Sequence, residues 1–181
     1  MYIFKLIAES ETMNLTSNDS FDLVEISGLT EFKRTIYSSS SGALPGEMIN
    51  GSHIEPRNIS IKIKPKYLDS TSVDICSSEV ISFLSKSNTI SLQWIKSDSF
   101  SMTINGTVES ISDPRFDKDS MMYIDMVCPY PFFISDELKG GQLLEGENEY
   151  YERTIVNNGN SSVGCIIDFW VYSDVVSHFI I

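Results

Sequence analysis

Asn105-Gly106 stands near the head of the stretch Phe100–Phe133, FSMTINGTVESISDPRFDKDSMMYIDMVCPYPFF, and few dipeptides constrain a chain more. Asn-Gly readily takes the positive φ angles of a type I′ turn, so Phe100–Ile104 and Thr107–Ile111 are expected to fold back as a hairpin. A two-residue loop would set Ile104 against Thr107, Met102 against Glu109 and Phe100 against Ile111. A bulge near the turn would shift that register, and the sequence leaves both open. A third run, Met121–Cys128, is apolar on both faces apart from Asp125 and reads as a strand buried between layers. Pro129 and Pro131 then remove two backbone donors and end the pairing.

The rest of the chain is read against these strands. Met1–Ala8 alternates with Tyr2, Phe4 and Leu6 on one face, Glu9–Ser20 is a turn or short hairpin, and Phe21–Ile26 is a second strand. Ser38–Ser52 holds consecutive serines, glycines and Leu44-Pro45-Gly46, with few groups able to pack, and is expected to be an exposed, mobile loop; one of that length usually has a job or is disordered until a partner arrives. Arg57–Lys64 alternates cleanly, with Ile59, Ile61 and Ile63 inward. Between Val73 and Lys86 the period changes: Cys76, Val80, Phe83 and Leu84 fall at helical spacing. Ser72 or Asp74 is the expected cap and Ser87-Asn88 the expected end. Thr89–Ile95 returns to strand, with Ile90, Leu92 and Trp94 on one side.

After Phe133 the composition turns acidic and Gly-containing through Tyr151, as a linker or edge loop would be. Arg153–Val156 and Cys165–Tyr172 are strand-like, separated by a turn at Asn157–Ser162. The expectation is therefore a mainly β chain: a β-sandwich with one α-helix over residues 1–133, then a linker and the start of a second β domain over residues 134–181. A chain of 181 residues is long enough to bury a real core.

With 25 acidic against 13 basic residues, the net charge of −12 opposes phosphate backbones and sets nucleic acid aside as a partner. No run of about 18 apolar residues occurs, and MYIFKLIAESE lacks the apolar core of a signal peptide. Both point to a soluble protein made in a cytoplasm, with no membrane insertion. The cysteines Cys76, Cys128 and Cys165 sit apart among apolar residues and are expected to be buried free thiols. His53 and His178 have no Cys or carboxylate at metal-ligand spacing, and Asp113, Asp117 and Asp119 lack the calcium-loop pattern, so neither metal nor cofactor is expected. No nucleophile elbow or phosphate loop is present. Trp94, Tyr130, Phe132, Phe133 and Trp170 could form a sugar-stacking platform, though packing is the plainer reading.

Taken in order, the motifs resemble the siphovirus-type tail component family, which includes the distal tail proteins of phages. They are Ile26-Ser27-Gly28-Leu29, the loop with Leu44-Pro45-Gly46 and Gly51-Ser52, Pro56-Arg57-Asn58-Ile59-Ser60-Ile61, one helix, the Asn105-Gly106 hairpin, and a strand ending in Cys128-Pro129-Tyr130-Pro131-Phe132-Phe133. Ile155–Gly159 followed by Cys165–Tyr172 resembles the start of that family's second, galectin-like sandwich. The resemblance implies a structural protein, not an enzyme, that assembles as a hexameric ring at a tail tip. It would link the tail tube to baseplate or receptor-binding proteins in a virion or phage-derived particle. Contacts are expected at Leu44, Pro45, Gly46, Met48 and Ile49 and at Pro129, Tyr130, Pro131, Phe132 and Phe133. The alternative is a carbohydrate-binding β-sandwich module.

Overall fold

A computed structural model of the chain describes residues 2–40, 42, 45–66, 69–97, 100–112 and 120–136. They fall within one compact unit, Met1–Leu138. Past Asp136 the expected second domain, including Arg153–Val156 and Cys165–Tyr172, lies outside the described residues, as do Cys165 and His178.

The clean alternation of Arg57–Lys64 becomes β6 (Arg57–Pro65), in which Ile59, Ile61 and Ile63 are fully buried. It is flanked antiparallel by β3 (Phe21–Ser27) and β9 (Met122–Cys128), with Ile61 opposite Ile26 on one side and Ile124 on the other. β9 corrects one expectation. Met122, Ile124, Met126 and Cys128 point inward, but Tyr123 is exposed and Asp125 and Val127 are half-buried, so the strand is covered on one face only. The reason is Asp125, whose carboxylate accepts from Ser60 (2.5 Å) and Ser110 (2.7 Å) on the outer face. These two hydroxyls hold its carboxyl below the usual Asp range.

Asn105-Gly106 makes no turn. It lies inside β8, one strand running from Phe100 to Ile111. Up to Gly106 that strand pairs with β7 (Ile90–Ser97), and from Thr107 it pairs with β9. The dipeptide therefore marks where one strand passes from the first sheet into the second, as strands do at the corner of a sandwich. Glycine is needed for closeness, not for φ. A Cβ at Gly106 would stand 2.8 Å from Cys128 Sγ and 2.9 Å from the Val127 carbonyl oxygen. Among the described residues positive φ occurs at Glu9, Ser120, Gly28 and Gly46 instead.

The first sheet runs β2 (Glu11–Asn14), β1 (Ile3–Ala8), β7, β8, with β10 (Ile134–Ser135) on the far side of β8; the second runs β8, β9, β6, β3. The helix α1 spans Ser70–Leu84, starting three residues earlier than the apolar period suggested. Its cap is Asp69, which accepts from the Ser72 backbone N–H at 3.0 Å. Val73, Cys76, Val80, Phe83 and Leu84 are buried on one stripe. Cys76, Val80, Phe83 and Leu84 share one core cluster with Leu6, Phe21, Ile61, Leu92, Ile104 and Ile124, drawn from both sheets. Each large apolar side chain so enclosed contributes roughly 1.5–3 kcal/mol relative to exposure. The fold is mainly β, a β-sandwich with one α-helix, as the sequence predicts.

Ser38–Ser52 is the other correction. Most of it is β structure: β4 (Arg34–Ser40) and β5 (Glu47–Ile54) pair with each other and with no other strand among the described residues. The expected exposure holds, but the backbone satisfies itself as a two-stranded ribbon instead of lying loose.

Candidate assembly surfaces

Residues opposite each other in a ladder share a face. In the ribbon, Ile36 faces Ser52 and Ser38 faces Ile49 on one side, while Tyr37 faces Gly51 and Ser39 faces Met48 on the other. Each face thus carries a diagonal apolar pair, Ile36 with Ile49 and Tyr37 with Met48. All four are open to solvent, at 56%, 67%, 55% and 68% respectively. A register shift between Tyr37 and Ser38 leaves Asn50 as the extra residue of a β-bulge. Toward the tip, Ser38 donates to Glu47 at 2.5 Å, and Gly46 turns with φ +104°. At the root, Lys33 pairs with Glu55 at 3.1 Å, and Thr35 donates to the same carboxylate. The Thr35 hydroxyl, then Lys33, hold the Glu55 carboxyl below its usual range. Of the loop contacts expected from sequence, Pro45, Gly46, Met48 and Ile49 lie on the tip or on β5, and Leu44 lies outside the described residues.

The second expected contact, Pro129–Phe133, is organised by Arg57, which the sequence marks only as part of the motif Pro56–Ile61. Arg57 is in phase with the buried isoleucines of β6 and is itself only 8% exposed. Its Nε donates to the Pro131 carbonyl at 2.7 Å, and Nη1 donates to the carbonyls of Gly28, at 3.0 Å, and Leu29. The guanidinium also stands 5.6 Å from the Phe133 ring centroid. Three separated stretches, Ile26–Leu29, the head of β6 and Cys128–Phe133, meet on this one side chain. Within Pro129–Phe133, Pro131 is buried and Phe133 is half-buried, its ring edge-on to Trp94 at 6.0 Å. Pro129 and Tyr130 are exposed, and Tyr130 leans edge-on against Phe132 at 5.4 Å.

Trp94 does not offer a bare platform. Phe4 stacks on it at 5.9 Å, and Tyr2 and Phe133 meet it edge-on. Trp170 lies outside the described residues.

Asp136, at the start of the expected acidic linker, is tied into the first sheet. Its carboxylate accepts from Gln93 at 2.9 Å, from Thr103 at 2.5 Å and from Ser101, while its backbone N–H donates to the Ser101 carbonyl at 3.1 Å. Burial pushes this carboxyl up, but the donors from Ser101, Thr103 and Gln93 outweigh burial and hold it below the usual range. An acidic residue before an apolar-to-polar change could have been suspected as a tether, but its partners are remote in sequence.

Reactive chemistry is sparse in what the structure describes. Cys76 and Cys128 are buried free thiols whose pKa burial pushes up to about 11, so they are poor nucleophiles. His53 is exposed on β5, and no group of three or more His, Cys, Asp or Glu among the described residues is placed to hold a metal ion. Asp113, Asp117 and Asp119 lie outside those residues. No helix among them is long and apolar enough to cross a membrane.

No protein-family model matches the chain, and no curated protein matches its sequence. Solved structures do match its fold. The Dit protein of phage SPP1, described as a hub of the adsorption apparatus of phages infecting Gram-positive bacteria, superposes with a TM-score of 0.56 at 14% identity over 72% of this chain and 51% of its own. A chain of the phage P2 baseplate in its activated conformation with calcium gives 0.56 at 11% identity over 85% of this chain and 54% of its own. The same baseplate with strontium gives 0.53 at 11% identity over the same shares. The chain spans about half the length of these structures, and what it shares with them is the fold.

Proposed function

We propose that this chain is a structural component of a phage tail tip, or of a phage-derived tail-like particle, of the distal tail kind. On this reading it closes into a hexameric ring, joins the tail tube to baseplate or receptor-binding proteins, and transforms no molecule. The observation that carries the reading is the β4–β5 ribbon, which stands outside the core with exposed apolar pairs on both faces. A two-stranded ribbon is marginal alone in water, so one like this is stabilised by being covered. The fold shared with a phage hub protein and with baseplate chains supports a neighbouring copy and tail proteins as the cover. The exposed end of Pro129–Phe133, at Tyr130, is the second proposed contact.

Negative-stain imaging and native mass spectrometry of the purified chain test it. Closed six-membered rings are expected, formed by the chain alone or on adding the tail tube protein of the same particle. A chain that remains monomeric at every concentration and in the presence of that protein overturns the reading.

A further inference from the structure

The sequence holds Asn-Gly pairs at Asn50-Gly51, Asn105-Gly106 and Asn158-Gly159, the last outside the described residues. The fold treats the first two in opposite ways. We propose that Asn50 is a site of spontaneous covalent modification, converting to aspartate or isoaspartate through a cyclic imide, whereas Asn105 is protected by the sandwich.

The chemistry needs only water. The backbone nitrogen of Gly51, losing its proton to solvent, attacks the side-chain amide carbon of Asn50. A C–N bond forms, the bond to Nδ2 breaks, and ammonia leaves. Water then opens the five-membered imide at either carbonyl, giving an aspartate or an isoaspartate that carries one more carbon in the main chain. Glycine on the C-terminal side favours the attack, because no side chain shields its nitrogen and its backbone is free to rotate.

Both asparagine side chains are exposed, so exposure does not separate the two sites; backbone freedom and the hold on each side-chain amide do. Asn50 is the extra residue of the bulge: Tyr37 faces Gly51 and Ser38 faces Ile49, leaving no residue opposite it. A Cβ built at Gly51 would meet nothing within 4 Å, so the chain has room to swing into the attacking geometry. The ribbon pairs with no other strand among the described residues, which makes local opening easy. The side-chain Oδ1 of Asn50 accepts from the Ser39 hydroxyl at 3.4 Å, a long contact that does not lock the amide in place. At Asn105 every term reverses. Asn105 faces Ser91, Gly106 faces Ile90, the side-chain Oδ1 of Asn105 accepts from the Ser91 hydroxyl at 2.7 Å, and Gly106 is packed against Cys128 and Val127. Reaction there requires the central strand to open.

The modification places a new carboxylate beside Ile49 and Met48, on a chain whose net charge is already −12. The site stands on the ribbon's geometry, whether or not the chain forms rings.

The test incubates the intact chain in mildly alkaline buffer and follows peptide masses with time, resolving isoaspartate from aspartate. The Asn50 peptide should convert at least about tenfold faster than the Asn105 peptide, as expected when one backbone opens locally and the other only with the core. In denaturant the two rates should converge. Equal rates in the folded protein, or faster reaction at Asn105, overturn the proposal; so does a tenfold gap that persists in denaturant, since the fold would then not be its cause.

Discussion

The Nε of Arg57 donates to the carbonyl oxygen of Pro131 at 2.7 Å, joining positions 74 residues apart at the edge of the core. The same guanidinium takes the carbonyls of Gly28 and Leu29, so one cation sets the exit of β9 and the turn after β3 together.

Replacing Arg57 with alanine leaves those carbonyls short of a donor in a largely dry place. A loss of about 3 kcal/mol is expected, since each orphaned buried acceptor costs on the order of 1–3 kcal/mol. Arg57→Lys should recover only part of it, because a single ammonium cannot reproduce the fork. Urea unfolding reads both: the midpoint should fall with an unchanged slope. An alanine variant as stable as the parent would show that the three carbonyls find water instead.

Gly106→Ala should destabilise by about 1–3 kcal/mol through overpacking, because its new methyl meets Cys128 Sγ at 2.8 Å. Combining it with Cys128→Ala should return part of the loss, giving a coupling of at least about 0.5 kcal/mol in a double-mutant cycle. Recovery should be incomplete, since the Val127 carbonyl stays at 2.9 Å. If Gly106 occupied a turn, as its pairing with Asn105 suggests from sequence, removing the sulfur would recover nothing.

Exchanging Ile36 and Ile49 for serine should change stability by no more than about 0.5 kcal/mol, the usual range for surface positions. If the chain closes into rings as proposed, the same change should abolish them. Sedimentation of the variant beside its melting curve separates the two effects, and rings that persist with both isoleucines gone would exclude this face of the ribbon from the contact.

Asp136 carries a depressed pKa in the folded protein, so its contribution to stability is present above the ordinary aspartate value of about 3.9 and disappears as pH falls through the lower folded value. Asp136→Asn should therefore melt below the parent at neutral pH, and the gap should close in acid. Melting temperatures of both proteins across pH 3 to 7 check the sign; a gap that widens on acidification contradicts the assignment.

What could be read beforehand follows from which interactions leave a local trace. Ile59, Ile61 and Ile63 declare β6 because a half-buried strand repeats every two residues, and Cys76, Val80, Phe83 and Leu84 declare α1 by its longer period. Asn105-Gly106 misleads because two different demands select glycine. A turn needs positive φ and a close strand crossing needs an absent Cβ, and only the position of Cys128 distinguishes them. Ser38–Ser52 reads as loop because its strands bury no stripe and are held by their own ladder. Leu44–Ile49 and Pro129–Phe133 stand out by composition and are expected as contacts on that ground, but composition does not show that Pro131 is buried while Tyr130 is exposed. Arg57 was legible in one respect: a charged residue in phase with three buried isoleucines must find partners, and these came from sites 28, 29 and 74 positions away.

β8 belongs to both sheets at once. Because its backbone is covalently continuous through Asn105-Gly106, tension applied to one layer is delivered into the other along peptide bonds, where oily side chains alone would slip. Shearing the two layers apart therefore demands that this single strand be stripped from β7 or from β9 first.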